Sequence, residues 1–232
     1  MRSADRPMRP HPGSGEAPPG DDEQAAAEFG VVRAAFQAGL DDQGALRAEF
    51  SFEDVPAPKK LAPFAAATSA TVARDDADIA FGRLVLLYDP AGHDGWPGCY
   101  RLISYVRAEV DEEIAADPML CQVGWDWLIE ALDTRTPGCY ATPSGTVTRV
   151  TTEGFGGKAS EPPVYGFEQR ASWSPVAPAG APDAGPDDLD LGAHVMAWCD
   201  SLAAAAGLPP LAAGTAALPS GRAGGTRSRR HR

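Results

Sequence analysis

Residues 79–88, IAFGRLVLLY, are apolar on both faces of an extended strand except at Arg83. That is the pattern of a central strand with neighbours on each edge and cover on each side. The ten residues that follow, DPAGHDGWPG, are dense in turn formers, and 99–110, CYRLISYVRAEV, alternates between two faces. Two strands joined by a turn-rich connection, with no helix between them, pair antiparallel. This junction sets the rest of the chain around an antiparallel sheet.

The remaining segments parse by period. Residues 21–39 open with Asp21, Asp22 and Glu23, suited to a helix N-terminus, and carry Phe29, Val32 and Phe36 at helical spacing. Residues 46–54 alternate, and 56–64 form an extended Pro-rich connector to a strand at 65–74. Asp117-Pro118 reads as a helix start. From Met119 to Asp133 one narrow polar stripe (Gln122, Asp126, Glu130, Asp133) predicts the central helix, buried on most sides. Strands at 144–153 and 163–173 form a hairpin around GFGGKASEPP, and 187–206 is a last helix with Leu191, Val195, Trp198 and Leu202 on one stripe. The order is helix, three or four strands, helix, two strands, helix. It predicts a single α+β domain over 21–206: an antiparallel sheet with helices packed on it.

Residues 1–20 and 207–232 are rich in Pro, Gly, Ala and Arg and read as disordered tails, and 174–186 reads as an internal Pro-broken linker. The net charge of −12 is split. The last eleven residues hold five Arg and no acid, whereas 21–206 holds 12 basic and 30 acidic residues. An acidic body repels phosphate backbones, so nucleic-acid binding is expected, if anywhere, through the Arg-rich tail. No run approaches the length of a membrane helix, and no apolar segment follows the basic residues of the N-terminus. The four cysteines, spaced 22, 18 and 60 apart, form no metal knuckle or redox pair. They read as reduced thiols in a cytoplasm.

Several residues could carry chemistry. His93 with Asp94 sits in the turn-rich connection, where a neighbouring carboxylate could orient an imidazole; the plainer reading is a polar turn. Glu109, Asp111, Glu112 and Glu113 could hold a divalent cation through oxygens, or simply furnish an acidic first helix turn. Asp126, Glu130 and Asp133 lack the Glu-x-x-His of a carboxylate-bridged metal site. His194 and Cys199, five apart on a helix, point different ways. No phosphate-loop, dinucleotide or G-x-S-x-G motif occurs, so no cofactor is expected. Arg101, Arg107 and Arg170, with Arg149 and Arg83, fall on strands, and correct phasing puts them on one sheet face. That face could bind an acidic peptide or a phosphorylated ligand, or be solvated and paired across strands with Glu109, Glu153 and Glu168. Arg101 and Arg107 are expected on its wet side.

The runs GRLVLLYDPAGHDGW, RAEVDEEIAADPML, GWDWLIEAL, SGTVTRV with FGG, RASWSP and AWCDSLAAAAGLPP resemble a family of uncharacterised actinobacterial proteins, a domain of unknown function. The resemblance covers about 22–212 and implies no assigned activity. Gln169 departs from it, standing before RASW in place of an apolar residue, which puts the register of the last strand in question. Function is therefore open between classes: a binding or adaptor module, a homodimer among its forms; an enzyme using His93 or the 109–117 carboxylates; or an accessory protein to a nucleic-acid-processing enzyme. The first is expected, with a protein partner or an acidic ligand and no membrane.

Overall fold

A computed structural model describes residues 19–41, 47–178 and 185–210. Helix α1 (Pro19–Asp41) leads into β1 (Phe50–Asp54), β2 (Phe64–Arg74), β3 (Ala77–Tyr88) and β4 (Tyr100–Glu109). Helices α2 (Glu112–Ala116) and α3 (Leu120–Arg135) precede β5 (Tyr140–Thr152) and β6 (Val164–Pro175), and α4 (Leu191–Ala205) closes the described chain. The six strands form one antiparallel sheet in the order β1-β2-β3-β4-β6-β5. The α+β class and the antiparallel sheet are as the sequence predicts. The proposed tails lie almost wholly outside the described residues, as does 179–184 of the proposed linker; Ser174 and Pro175, assigned to that linker, belong to β6.

The β2–β3 turn is tight, with Asp75 and Asp76 both at positive φ (50° and 64°) and Arg74 paired with Ala77. This is the two-residue hairpin geometry, in which short polar side chains tolerate the left-handed region. From Tyr88 the chain crosses the 89–99 loop to Tyr100, its register partner. After β4 the chain leaves the sheet for α2 and α3, returns as the edge strand β5, and turns back as β6 between β5 and β4.

All the long helices cover one face. Leu84, Leu86, Leu102, Val106, Phe167, Ala171 and Trp173 point into them and are buried. The central helix is α4, not α3 as the polar stripe suggested. Along α4, His194 through Cys199 are buried without a break, as are Ser201, Leu202 and Ala203. On α3 only Leu120, Gly124, Leu128, Ala131 and Leu132 are. The physical reason is size: α4 carries small residues, so neighbours close on it from several sides, whereas α3 holds Trp125 and Trp127 half-buried at the β5–β6 margin.

Two glycines set the gap between helices and sheet. A Cβ on Gly82 of β3 would come within 2.7 Å of the Trp198 ring and 2.8 Å of Leu202, so α4 rests directly on the strand backbone. A Cβ on Gly124 of α3 would fall 2.1 Å from the Phe167 ring. A mid-helix glycine costs about 1 kcal/mol against alanine; here it admits the aromatic ring. Gln169, two residues along on the same face, donates from Nε2 to the Gly124 carbonyl at 2.7 Å. The amide that looked out of place thus anchors α3 to β6, and Gln169 pairs with Val106 and Val147 without a slip.

Among the described residues the opposite face carries no helix. Its β2–β3 half holds a second small core of Ala67, Val85 and Leu87, packed against Val55, against Ala57 and Ala62 of the Pro-rich connector, and against Trp96 and Ile103. Arg83 Nη2 donates to the Pro56 carbonyl at 2.6 Å and fastens that connector down.

Candidate functional site

Strand register fixes what lies on the helix-free face. One row across the sheet reads Ser69, Arg83, Tyr105, Arg170, Thr146, and the next reads Thr71, Phe81, Arg107, Glu168, Thr148. In the other direction Leu87, Arg101 and Ser174 follow Val85, Ile103, Ser172 and Ser144. Arg83, Arg101, Arg107 and Arg170 therefore share a face. Arg149 does not. It pairs with Phe167 on the helix side, and its Nη1 donates to the Asp117 and Ala115 carbonyls at 3.2 and 3.4 Å, tying down the end of α2.

The four differ in what they do. Arg83 is committed to the connector. Arg170 meets Glu168 at 3.0 Å and lies over the Tyr105 ring at 5.1 Å, with Phe81 against the other side of Tyr105. Arg107 is exposed and, among the described residues, has no carboxylate within ion-pair distance.

Arg101 is only 7% exposed. Its guanidinium is held by oxygens without charge: Thr142 Oγ1 at 2.9 Å, Ser172 Oγ at 2.7 Å, the Ser172 carbonyl at 3.2 Å, and Ser144 and Ser174 Oγ at 3.4 Å. Burial holds its pKa below the usual arginine value. Thr142 reaches it through a bulge, where the β5–β6 register shifts between Ala141 and Ser144 and Thr142 takes φ +46°. A β-branched residue in the left-handed region is strained, and bulges re-aim side chains. The expected wet placement of Arg101 is thus corrected: the hydroxyls of β5 and β6 enclose it. Arg101→Ala is expected to cost about 2–3 kcal/mol in urea unfolding, because buried hydroxyls lose their partner and a cavity opens. Arg107→Ala should stay within about 0.5 kcal/mol.

The other sequence candidates are not assembled into a reactive group. His93 is exposed, stacks on Trp96 at 4.6 Å, and its Nδ1 bonds the Asp94 backbone carbonyl at 2.8 Å; its hydrogen bond is not to the Asp94 carboxylate. Glu109, Asp111, Glu112 and Glu113 are exposed around the start of α2. No three His, Cys, Asp or Glu groups come together to hold a metal among the described residues. His194 is buried, and its Nδ1 accepts from Trp173 Nε1 at 3.2 Å. An indole only donates, so the imidazole is neutral with its proton on Nε2. Burial lowers its pKa to about 4. Burial likewise pushes the Cys199 thiol up.

One cluster escaped the sequence reading. Tyr88 and Tyr100, facing each other across the 89–99 hairpin, stack at 4.6 Å, and Tyr88 donates to Glu28 Oε2 of α1 at 2.5 Å. Gln24 Nε2 donates to Glu28 Oε1 at 2.9 Å. These two donors hold the Glu28 carboxyl below the ordinary carboxylate range. Burial raises Tyr100 to about 12, and burial and then Glu28 push Tyr88 higher still. A cavity of about 550 Å³ opens beside them. The Tyr88–Tyr100 pairing was legible from the hairpin; the arrival of Glu28 depends on how α1 docks, which no local pattern encodes.

No helix among the described residues is long and apolar enough to cross a membrane. No curated protein and no solved structure matches the chain. A family model described as a protein of unknown function (DUF3000) matches residues 31–215, well over half of the sequence. The resemblance read from those sequence runs and the matched family agree in kind, and the chain belongs to this family of unknown function, DUF3000.

Proposed function

We propose that this protein is a cytoplasmic binding module, of actinobacterial origin, whose helix-free sheet face receives an acidic segment of a partner protein. The observation that carries the reading is Arg101, a guanidinium buried with no carboxylate partner among the described residues, on the same face as Arg107 and Arg170. A buried unpaired charge is expensive, and a fold that needed only packing would do as well with an apolar residue there. Around it the face offers Arg107, the Arg170–Tyr105–Phe81 ridge that runs on to β3, and a row of hydroxyls on β5 and β6. Flat guanidinium and aromatic surfaces flanked by hydroxyls suit carboxylate side chains on an extended peptide. The four free thiols fit a reducing compartment.

Fluorescence polarisation of a labelled peptide of alternating Glu and Val, titrated with the full chain, tests this. Binding should weaken with salt and fall by about tenfold in the double variant Arg107→Glu, Arg170→Glu. Equal binding by that variant, or equal binding of a Lys-Val peptide, overturns it. A homodimer broken by the same double substitution overturns it too, since a second copy would then be what the face receives.

A further inference from the structure

We infer that the cavity beside Tyr88 and Tyr100 is a binding site for a small organic amine, its ammonium held at Glu28 and its apolar body lying against Tyr100, Val176 and Leu189. The site is at the end of the sheet where β3, β4 and β6 meet α1, and it is independent of the helix-free face. Its volume, about 550 Å³, is in the range of small-molecule pockets, and its walls are mostly apolar. On the far side of Glu28, Tyr88 and Cys99 lies a second cavity of about 480 Å³, which Asp21 and Asp22 also line. Neither cavity has a Lys, Arg or His among its described lining residues.

The charge balance points to the ligand. Glu28 is half-buried, and both of its oxygens are engaged only by neutral donors, the Tyr88 hydroxyl and the Gln24 amide. Among the described residues no cation pairs with it. Those two donors keep it ionised and fixed in position, so a negative charge stands in the wall of an open, mostly apolar hollow. An anionic ligand would meet Glu28, Asp21 and Asp22 with nothing to offset them. An ammonium would gain a charge-assisted hydrogen bond to Glu28 and a place beside the stacked rings of Tyr88 and Tyr100. Phe29 and Phe64 pack behind Tyr88 at 6.2 and 5.8 Å and hold that ring in place, so little side-chain freedom is lost on binding.

The test is amide-resolved NMR titration of the full chain with phenethylamine, using 3-phenylpropanoate as the probe of opposite charge. Saturable shifts are expected for phenethylamine at residues 98–100 and 176–177, and none for the carboxylate. Glu28→Gln, which keeps the size of the side chain and an acceptor for Tyr88, should weaken phenethylamine by about tenfold or more. Tyr100→Leu, which keeps an apolar wall but removes the ring, should weaken it less. Absence of saturable shifts, equal binding of both probes, or undiminished affinity in Glu28→Gln overturns the inference. None of these outcomes bears on the arginine face.

Discussion

Truncation of Trp198 to alanine is expected to cost about 3–5 kcal/mol in urea unfolding, the largest loss from any single side chain considered. Trp198 is fully buried on the central helix, and its ring packs against Gly82, where the strand has no side chain of its own. Neither the strand backbone nor α4 can move into the space left behind, because the glycine has nothing to extend and α4 is held by α1 and α3 as well. With total stability of order 5–15 kcal/mol, such a loss takes about a fifth of it or more. The midpoint should fall with the slope unchanged. Trp198→Phe should cost far less, since it keeps most of the ring and removes an indole N–H that finds no acceptor among the described residues. A Trp198→Ala loss below about 1 kcal/mol would mean that α4 does not bear on β3 in this way.

Acid should destabilise the protein through His194 before its carboxylates are fully protonated. In the folded state the imidazole is neutral, buried against Trp173, with its pKa depressed from 6.5 to about 4. In the unfolded chain it takes up a proton near its ordinary value. The unfolded state therefore binds more protons between these limits, and stability falls as pH falls through them. The contribution is complete above about pH 6.5 and lost below about pH 4, amounting to about 3 kcal/mol. Measuring unfolding free energy at pH 7, 5.5 and 4 for the natural chain and for His194→Gln isolates it. Glutamine still accepts from the Trp173 indole but does not titrate, so the carboxylate contribution is common to both. The gap between the two proteins should shift by about 3 kcal/mol over that interval. Parallel profiles would contradict a buried neutral His194.

The sheet could be read because strand period survives in short segments: Arg83, Arg101, Arg107 and Arg170 fall into one set by parity alone once β3, β4 and β6 pair. Arg149 resisted because the apolar residues of β5 sit at both parities, Val147 toward the helices and Val150 away from them, so that strand carries no phase of its own. Helix α2 was read only as an acidic first turn and not as a helix of its own, for a related reason: two Glu, one exposed Ile and two Ala, with none buried, leave no periodic mark. The depth of Arg101 was invisible, since a strand pattern tells which face a residue is on and not what the neighbouring strands place around it. Four hydroxyls from β5 and β6, 41 to 73 residues distant in sequence, close over it. Glu28 belongs to the same class, meeting Tyr88 across 60 residues.

The small core under the Pro-rich connector has a consequence for how the protein can change. Ala67, Val85 and Leu87 share strands with the main core but touch it only through the backbone, so the sheet works as a party wall between two dwellings. Substitutions beneath the connector are free to drift without reopening the fit between α4 and β3. A lineage of such proteins can therefore refurnish one side of the wall, altering what it meets, while the side that makes it fold stays as it was.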